Sequence, residues 1–200
     1  MRPLSAASAA LIVVDVQKAW DEIEATGSPR NNPHALAQIV KLMNAFRDAG
    51  ASLIHIRHAS HQPHSPFRPD RPGYAVKDEV CEWPGEPVIV KHVNSAFIGT
   101  KFELLLHEIS VKTLVIVGAT TNHCVETTAR MAGNMAFDVR LVEDATWTFD
   151  RVGPHGDRHV AEDVHRMTLA NLHDEFAEIV LTRDIIREFD NMRTAVAFAS

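Results

Sequence analysis

Cysteine is scarce in this chain: Cys81 and Cys124 are its two thiols in 200 residues. Two thiols cannot make a disulfide framework, so the sequence predicts reduced cysteines and a cytoplasmic location. Long apolar runs are missing as well, and none approaches the ~18 residues of a membrane span. Arg2 and the mostly apolar run 6–14 could open a secretory leader. However, Asp15 ends that run and no small-x-small cleavage site follows it. Basic blocks are absent, and the net charge is −6. Nothing in that balance points to nucleic acid or a membrane as the main partner. Internal repeats, low-complexity tracts and domain breaks are lacking too. Residues 1–200 therefore read as one domain, long enough for a sizeable core.

What is present is an alternation of strands and helices. Apolar runs at 9–14, 52–58, 88–90, 114–117, 137–142 and 177–181 read as strands. Leu36, Ile39, Val40, Met43 and Phe46 recur at helical spacing after Pro33 and stop before Gly50. Further helices are predicted over 100–110, from Cys124 to beyond Ala132, over 157–173 with Val160, Val164, Met167 and Leu172 inward, and over 184–191. Residues 21–32 read as a loop. Residues 59–86 carry five prolines and form the longest irregular stretch, read as a functional loop. The pattern predicts an α/β fold: a doubly wound parallel sheet of about six strands with helices on both faces. In such sheets ligands bind beyond the carboxyl ends of the strands, near the switch in strand order.

Three chemically capable residues fall at such ends: Asp15, Lys91 and Cys124. Cys124 follows the run Leu114–Val117 and the turn 120–123, and opens a helix. Unpartnered N–H groups there favour a thiolate and can hold an oxyanion. A Cys nucleophile also needs a base and a positive charge, which Asp15 and Lys91 supply. Plainer roles fit the same residues: an inert buried thiol, a turn-capping carboxylate and a solvated strand end.

The stretches IVVDVQKAW (12–20), VKHVNSAFIGTKFELLL (90–106), VIVGATTNHCVETTARMA (115–132) and VEDATWTF (142–149) together resemble the isochorismatase-like cysteine hydrolases. The resemblance covers most of the chain. It implies a catalytic triad of Asp15, Lys91 and Cys124, and a cis peptide joining Ala119 and Thr120. It further implies an oxyanion hole made by the N–H groups of Thr120 and Cys124, and commonly a homo-oligomer. True isochorismatases cleave a vinyl ether and typically lack the nucleophilic cysteine, so Cys124 argues for C–N cleavage in a small-molecule substrate. A vinyl-ether hydrolase and a silent binding protein on the same scaffold remain the rival readings. Nicotinamidases of the family carry a metal at an Asp-x-His after the second strand. This chain has His58-Ala59-Ser60 there. His55, His58, His61 and His64 recur every third residue, a spacing that fixes no common face on a Pro-rich loop. The expectation is therefore no metal and no organic cofactor. For the substrate pocket the candidates are Gln17, Trp20, Phe97, Asn122, His123 and Trp147, each of which could equally be plain packing.

Overall fold

The computed structural model describes residues 4–199, with side chains through Thr194. Apolar, β-branched runs buried on both faces form the centre of the sheet: β1 (Ala9–Val14) and β4 (Thr113–Ala119) are buried at every position. Flanking them are β2 (Ser52–His58), β3 (Val88–Lys91), β5 (Asp138–Trp147) and β8 (Glu178–Val180). Among the described residues the sheet order is β3-β2-β1-β4-β5-β8, and every pairing is parallel. The short strands β6 (Arg151–Val152) and β7 (Arg158–His159) form a separate antiparallel hairpin.

Alternate residues of β1 enter opposite cores, as a two-residue repeat demands. Leu11 and Val13 pack with Ile39, Met43 and Phe46 of α2 (Ala35–Asp48) and Ile185 and Phe189 of α6 (Thr182–Ala199). Ala10, Ile12 and Val14 pack with Phe102 and Leu106 of α3 (Phe102–Glu108). Ala129 and Ala132 of α4 (Glu126–Asn134) and Leu169 and Leu172 of α5 (Ala161–Leu172) join that second core. Helices α2 and α6 therefore cover one face and α3, α4 and α5 the other, which is the doubly wound arrangement expected. No helix among the described residues is long and apolar enough to cross a membrane. Arg2 lies outside the described residues.

Several local expectations are corrected. Residues 21–32 are not all loop: α1 (Ala19–Ala25) forms there, burying Ala19 and exposing Asp21 and Glu22, and Gly27 at φ 89° follows it. The fifth strand does not end at Val142. It bulges through 143–145 and rejoins β4, with Thr146 opposite Gly118 and Trp147 opposite Ala119. Asn32 makes the bulge tolerable by donating from Nδ2 to the carbonyls of Glu143 (3.0 Å) and Thr146 (2.8 Å). Helix α5 starts at Ala161 rather than 157, because 158–159 pair in the hairpin. Its inward face is consequently Ala161, His165, Thr168, Leu169 and Leu172, while Val160 and Met167 are exposed. The last helix is longer than expected, starting at Thr182, whose N–H and hydroxyl both donate to Asp144 Oδ1.

The strand order reverses between β1 and β4, so the crevice beyond their carboxyl ends is the natural binding position. The two strands meet there unusually closely. A Cβ on Gly118 would sit 2.0 Å from the Val14 carbonyl oxygen, and its φ is +115°. Only glycine fits both conditions.

Candidate active site

Asp15 and Cys124 flank this crevice, and Lys91 reaches them from the end of β3. Asp15 follows β1 directly with φ 50°, a left-handed conformation that Asp tolerates better than most residues. Its N–H donates to the Ile56 carbonyl and its own carbonyl accepts from the Gln17 N–H and the Trp20 indole N–H (2.6 Å). The Lys91 ammonium donates to Asp15 Oδ2 (2.7 Å), Cys124 Sγ (3.2 Å) and the Val93 carbonyl (3.2 Å). Asp15 and Lys91 are 1% and 0% exposed, so the pair is shielded from solvent screening. The other carboxylate oxygen, Asp15 Oδ1, is buried with no hydrogen-bond partner among the described residues.

Cys124 does not open the helix. It lies in a π-type turn, Thr121–Val125, ahead of α4. The peptide joining Ala119 and Thr120 is cis. The carbonyl of Thr120 accepts from the N–H groups of His123 and Val125, which curls the turn under the sulfur. Behind it, Thr121 Oγ1 and His165 Nδ1 lie 2.9 Å apart, both buried.

At Cys124, burial outweighs the local N–H field that favours a thiolate. Burial pushes the Cys124 thiol far above the usual range, the Asp15 carboxylate adds to the effect, and Lys91 opposes both without overcoming them. For Lys91, burial disfavours the ammonium. The Asp15 carboxylate and the hydrogen bonds to Asp15 and the Cys124 sulfur outweigh it, and its pKa is raised. The resting site is thus a neutral thiol beside a fixed ammonium. Proton removal has to occur together with attack, by a group already in place.

One residue in direct contact with this group has no counterpart among the site residues expected from sequence. His58 Nδ1 lies 3.5 Å from Lys91 Nζ. The signal was its place at the end of β2, where His58 is the register partner of Lys91. Burial first, and then the neighbouring Lys91 charge, lower its pKa and hold it neutral. The other histidines of the series diverge. His55 binds Glu86 (2.9 Å), His61 stacks on His92, and His64 lines an open pocket together with Glu22 and Arg71.

Three of the pocket candidates have their side chains engaged in hydrogen bonds or core packing. Gln17 is buried with its amide occupied: Nε2 donates to the carbonyls of His58 and Tyr74, and Oε1 accepts the His58 N–H. Phe97 packs in the second core against Phe102 and Phe137. Trp147 is fully buried on β5, because the bulge turns it into the first core, where Arg30 lies over its ring. Trp20 does fold back: it ties its indole N–H to Asp15 and packs against Phe67 and Phe149. Asn122 and His123 adjoin the nucleophile. Asn122 Oδ1 accepts from Thr148 Oγ1 (2.5 Å), and His123 Nδ1 faces Arg151 at 3.3 Å. Asn94, absent from the candidates, places Oδ1 3.9 Å from the sulfur.

A parallel, doubly wound sheet with an Asp–Lys–Cys group at its switch point defines a class of α/β hydrolytic site. The family model described as the isochorismatase domain matches residues 9–184, and the chain belongs to the isochorismatase family of hydrolases. The isochorismatase family protein YrdC of Bacillus subtilis is 44% identical over 180 residues, covering 90% of this chain and 95% of its own. A crystal structure of an isochorismatase-family protein from Chromobacterium violaceum is similar at TM-score 0.89 and 44% identity, covering 96% of this chain and 99% of that one. Maleamate amidohydrolase of Pseudomonas putida is 25% identical over 200 residues, covering 92% and 87%.

Proposed function

We propose that this protein is a cysteine hydrolase that cleaves a carbon–nitrogen bond in a small amide, carbamoyl compound or lactam. The observation that carries the reading is the division of labour within one carboxylate. Asp15 Oδ2 is held by Lys91, while Oδ1 is buried and free to accept a proton at the same site as the Cys124 thiol. Asp15 takes that proton as the sulfur attacks the carbonyl carbon. The N–H groups of Thr120 and Cys124 stabilise the oxyanion. Asp15 returns the proton to the leaving nitrogen, the C–N bond breaks, and a thioester remains on Cys124. Water, deprotonated by Asp15, then cleaves the thioester and restores the thiol. Lys91 stays an ammonium throughout and orients both partners. This sequence of steps calls on no metal and no organic cofactor.

The amidohydrolase relative supports the C–N assignment, and Cys124 itself argues against a mechanism in which the sulfur is idle. A cytoplasmic location and a homo-oligomeric state belong to the same reading. The test is ammonia release across a panel of small amides and carbamoyl compounds, with mass spectrometry of Cys124 after rapid quenching. An acyl adduct on Cys124 with the best substrate is the expected result. Turnover without any adduct, alongside hydrolysis of isochorismate, would move the assignment to vinyl-ether chemistry.

A further inference from the structure

The Lys91 ammonium has three protons and four acceptors within reach. These are Asp15 Oδ2 at 2.7 Å, Val93 O and Cys124 Sγ at 3.2 Å each, and His58 Nδ1 at 3.5 Å. One acceptor is therefore in excess, and the longest contact belongs to His58. The surplus has a use when the sulfur changes its bonding. An acylated sulfur delocalises its lone pairs into the new carbonyl and becomes a poor acceptor. Lys91 is fully buried, so an ammonium N–H that loses the sulfur as its acceptor has no bulk water to turn to.

We propose that His58 is a positioning residue whose Nδ1 takes over the Lys91 hydrogen bond that Cys124 gives up on acylation. This rests on the thioester reading above and adds to it the group that keeps Lys91 satisfied in the acyl-enzyme. The chemistry balances without His58 changing protonation. An S–C bond forms, a C–N bond breaks, the thiol proton passes through Asp15 to the leaving nitrogen, and Lys91 keeps its three protons. Only one hydrogen bond changes partner.

The fold holds His58 ready for this. His58 and Lys91 are register partners on adjacent parallel strands. Gln17 clamps the His58 backbone on both sides, accepting from its N–H at 2.8 Å and donating to its carbonyl at 3.1 Å. Phe67 packs edge-on against the imidazole, with ring centroids 5.8 Å apart. The charged and titratable groups around the ring are Lys91 from β3, Asp15 after β1, His92 after β3 and His61 after β2. To accept from Lys91, His58 must carry its proton on Nε2. A protonated imidazole would instead set a second cation against Lys91.

The experiment uses the full chain with Cys81→Ser, which removes the exposed second thiol, and nitrogen-15-labelled histidine. Spectra are recorded before and after Cys124 is alkylated with iodoacetamide, whose thioether sulfur is a weak acceptor like the acylated one. The expected result is an Nε2–H tautomer in both states, with the Nδ1 resonance moving toward its hydrogen-bonded range on alkylation. An Nδ1–H tautomer, or an Nδ1 resonance unmoved at full alkylation, overturns the proposal. A second arm follows acylation by p-nitrophenyl acetate as a burst of nitrophenolate. His58→Leu should slow the burst roughly tenfold while keeping its amplitude, and His58→Gln should recover it to within about threefold, its amide oxygen being a neutral acceptor. A Leu variant as fast as the parent, or a Gln variant as slow as Leu, counts against it. Absence of acetyl-Cys124 in the parent removes the nucleophile reading alone, and the spectra still decide the partner of His58.

Discussion

Lys91 Nζ stands 2.7 Å from Asp15 Oδ2, with the two side chains 0% and 1% exposed. A pair this deeply buried is costly to break, because deleting one member leaves the other charged in a low-dielectric site. Lys91→Ala should therefore lower folding stability by about 3–5 kcal/mol as well as abolish turnover. Urea unfolding followed by circular dichroism checks this. Stability within about 1 kcal/mol of the parent would mean that Asp15 simply takes up a proton in the variant. Asp15→Asn should be milder on stability and equally severe on activity, since the amide fills the same space but cannot accept the thiol proton.

Acid should weaken the fold through a second cluster, at the far end of the Pro-rich stretch. Burial works against the Glu86 carboxylate, but bonds from Arg47, the Trp83 N–H and His55 outweigh it and hold its pKa at about 2. The folded value lies below the ordinary 4.5, so the unfolded chain binds the proton first as pH falls. The contribution of Glu86 is full above pH 4.5 and is lost as pH drops toward 2. His55, lowered mainly by burial, acts with the same sign starting from its ordinary value of 6.5. Unfolding free energy measured from about pH 8 down to about pH 2.5 should decline in those two stages. Glu86→Gln should be less stable near neutrality and should flatten the lower stage. An unchanged pH profile in that variant would show that the acid response originates elsewhere.

Chelation tests whether this site works without a metal. His55 pairs with Glu86, His61 stacks on His92, His64 lines a separate pocket, and His58 already faces Lys91. Prolonged treatment with EDTA or 1,10-phenanthroline should leave amide turnover within about twofold of the untreated enzyme, since the steps assigned to Asp15, Lys91 and Cys124 need no Lewis acid. Loss of activity restored by Zn²⁺ or Fe²⁺ would bring the histidines back as ligands.

The fold was legible because its strong signals are local. Six apolar strands separated by amphipathic helices leave few alternatives to a parallel sheet. The places of Asp15, Lys91 and Cys124 followed from the same pattern, since each stands at or just beyond a strand end. Side-chain destinations were less legible because they depend on single-residue shifts. The bulge at 143–145 changes which way Trp147 points, and the carbonyls at the bulge are satisfied by Asn32, more than a hundred residues away. Gln17 looks like a pocket residue at two positions beyond Asp15, yet its partners come from His58 and Tyr74. The strength of the local field on the thiol was illegible for a related reason. A helix-terminal field can be guessed from sequence, but the burial that overrides it comes from the packed fold.

The decisive kinetic expectation concerns whether Asp15 and Cys124 act as one unit. If Asp15 serves mainly to move the Cys124 proton, removing either residue disables the same step. Cys124→Ala and Asp15→Asn should each lower kcat/KM by roughly 10³-fold or more. The double variant should then be no worse than the poorer single variant by more than about tenfold, rather than showing the product of the two losses. Cys124→Ala is a fair probe, because it swaps one small side chain for another in a turn whose backbone bonds run to Thr120. The vinyl-ether rival makes the opposite forecast. There Asp15 protonates the substrate and the sulfur takes no part, so Cys124→Ala would keep most of its turnover while Asp15→Asn is dead. Independent, multiplying losses would fit neither mechanism and would assign the two residues to separate steps. The 3.2 Å contact from Lys91 to the Cys124 sulfur, made by the same ammonium that holds Asp15, is the geometric reason to expect non-additivity.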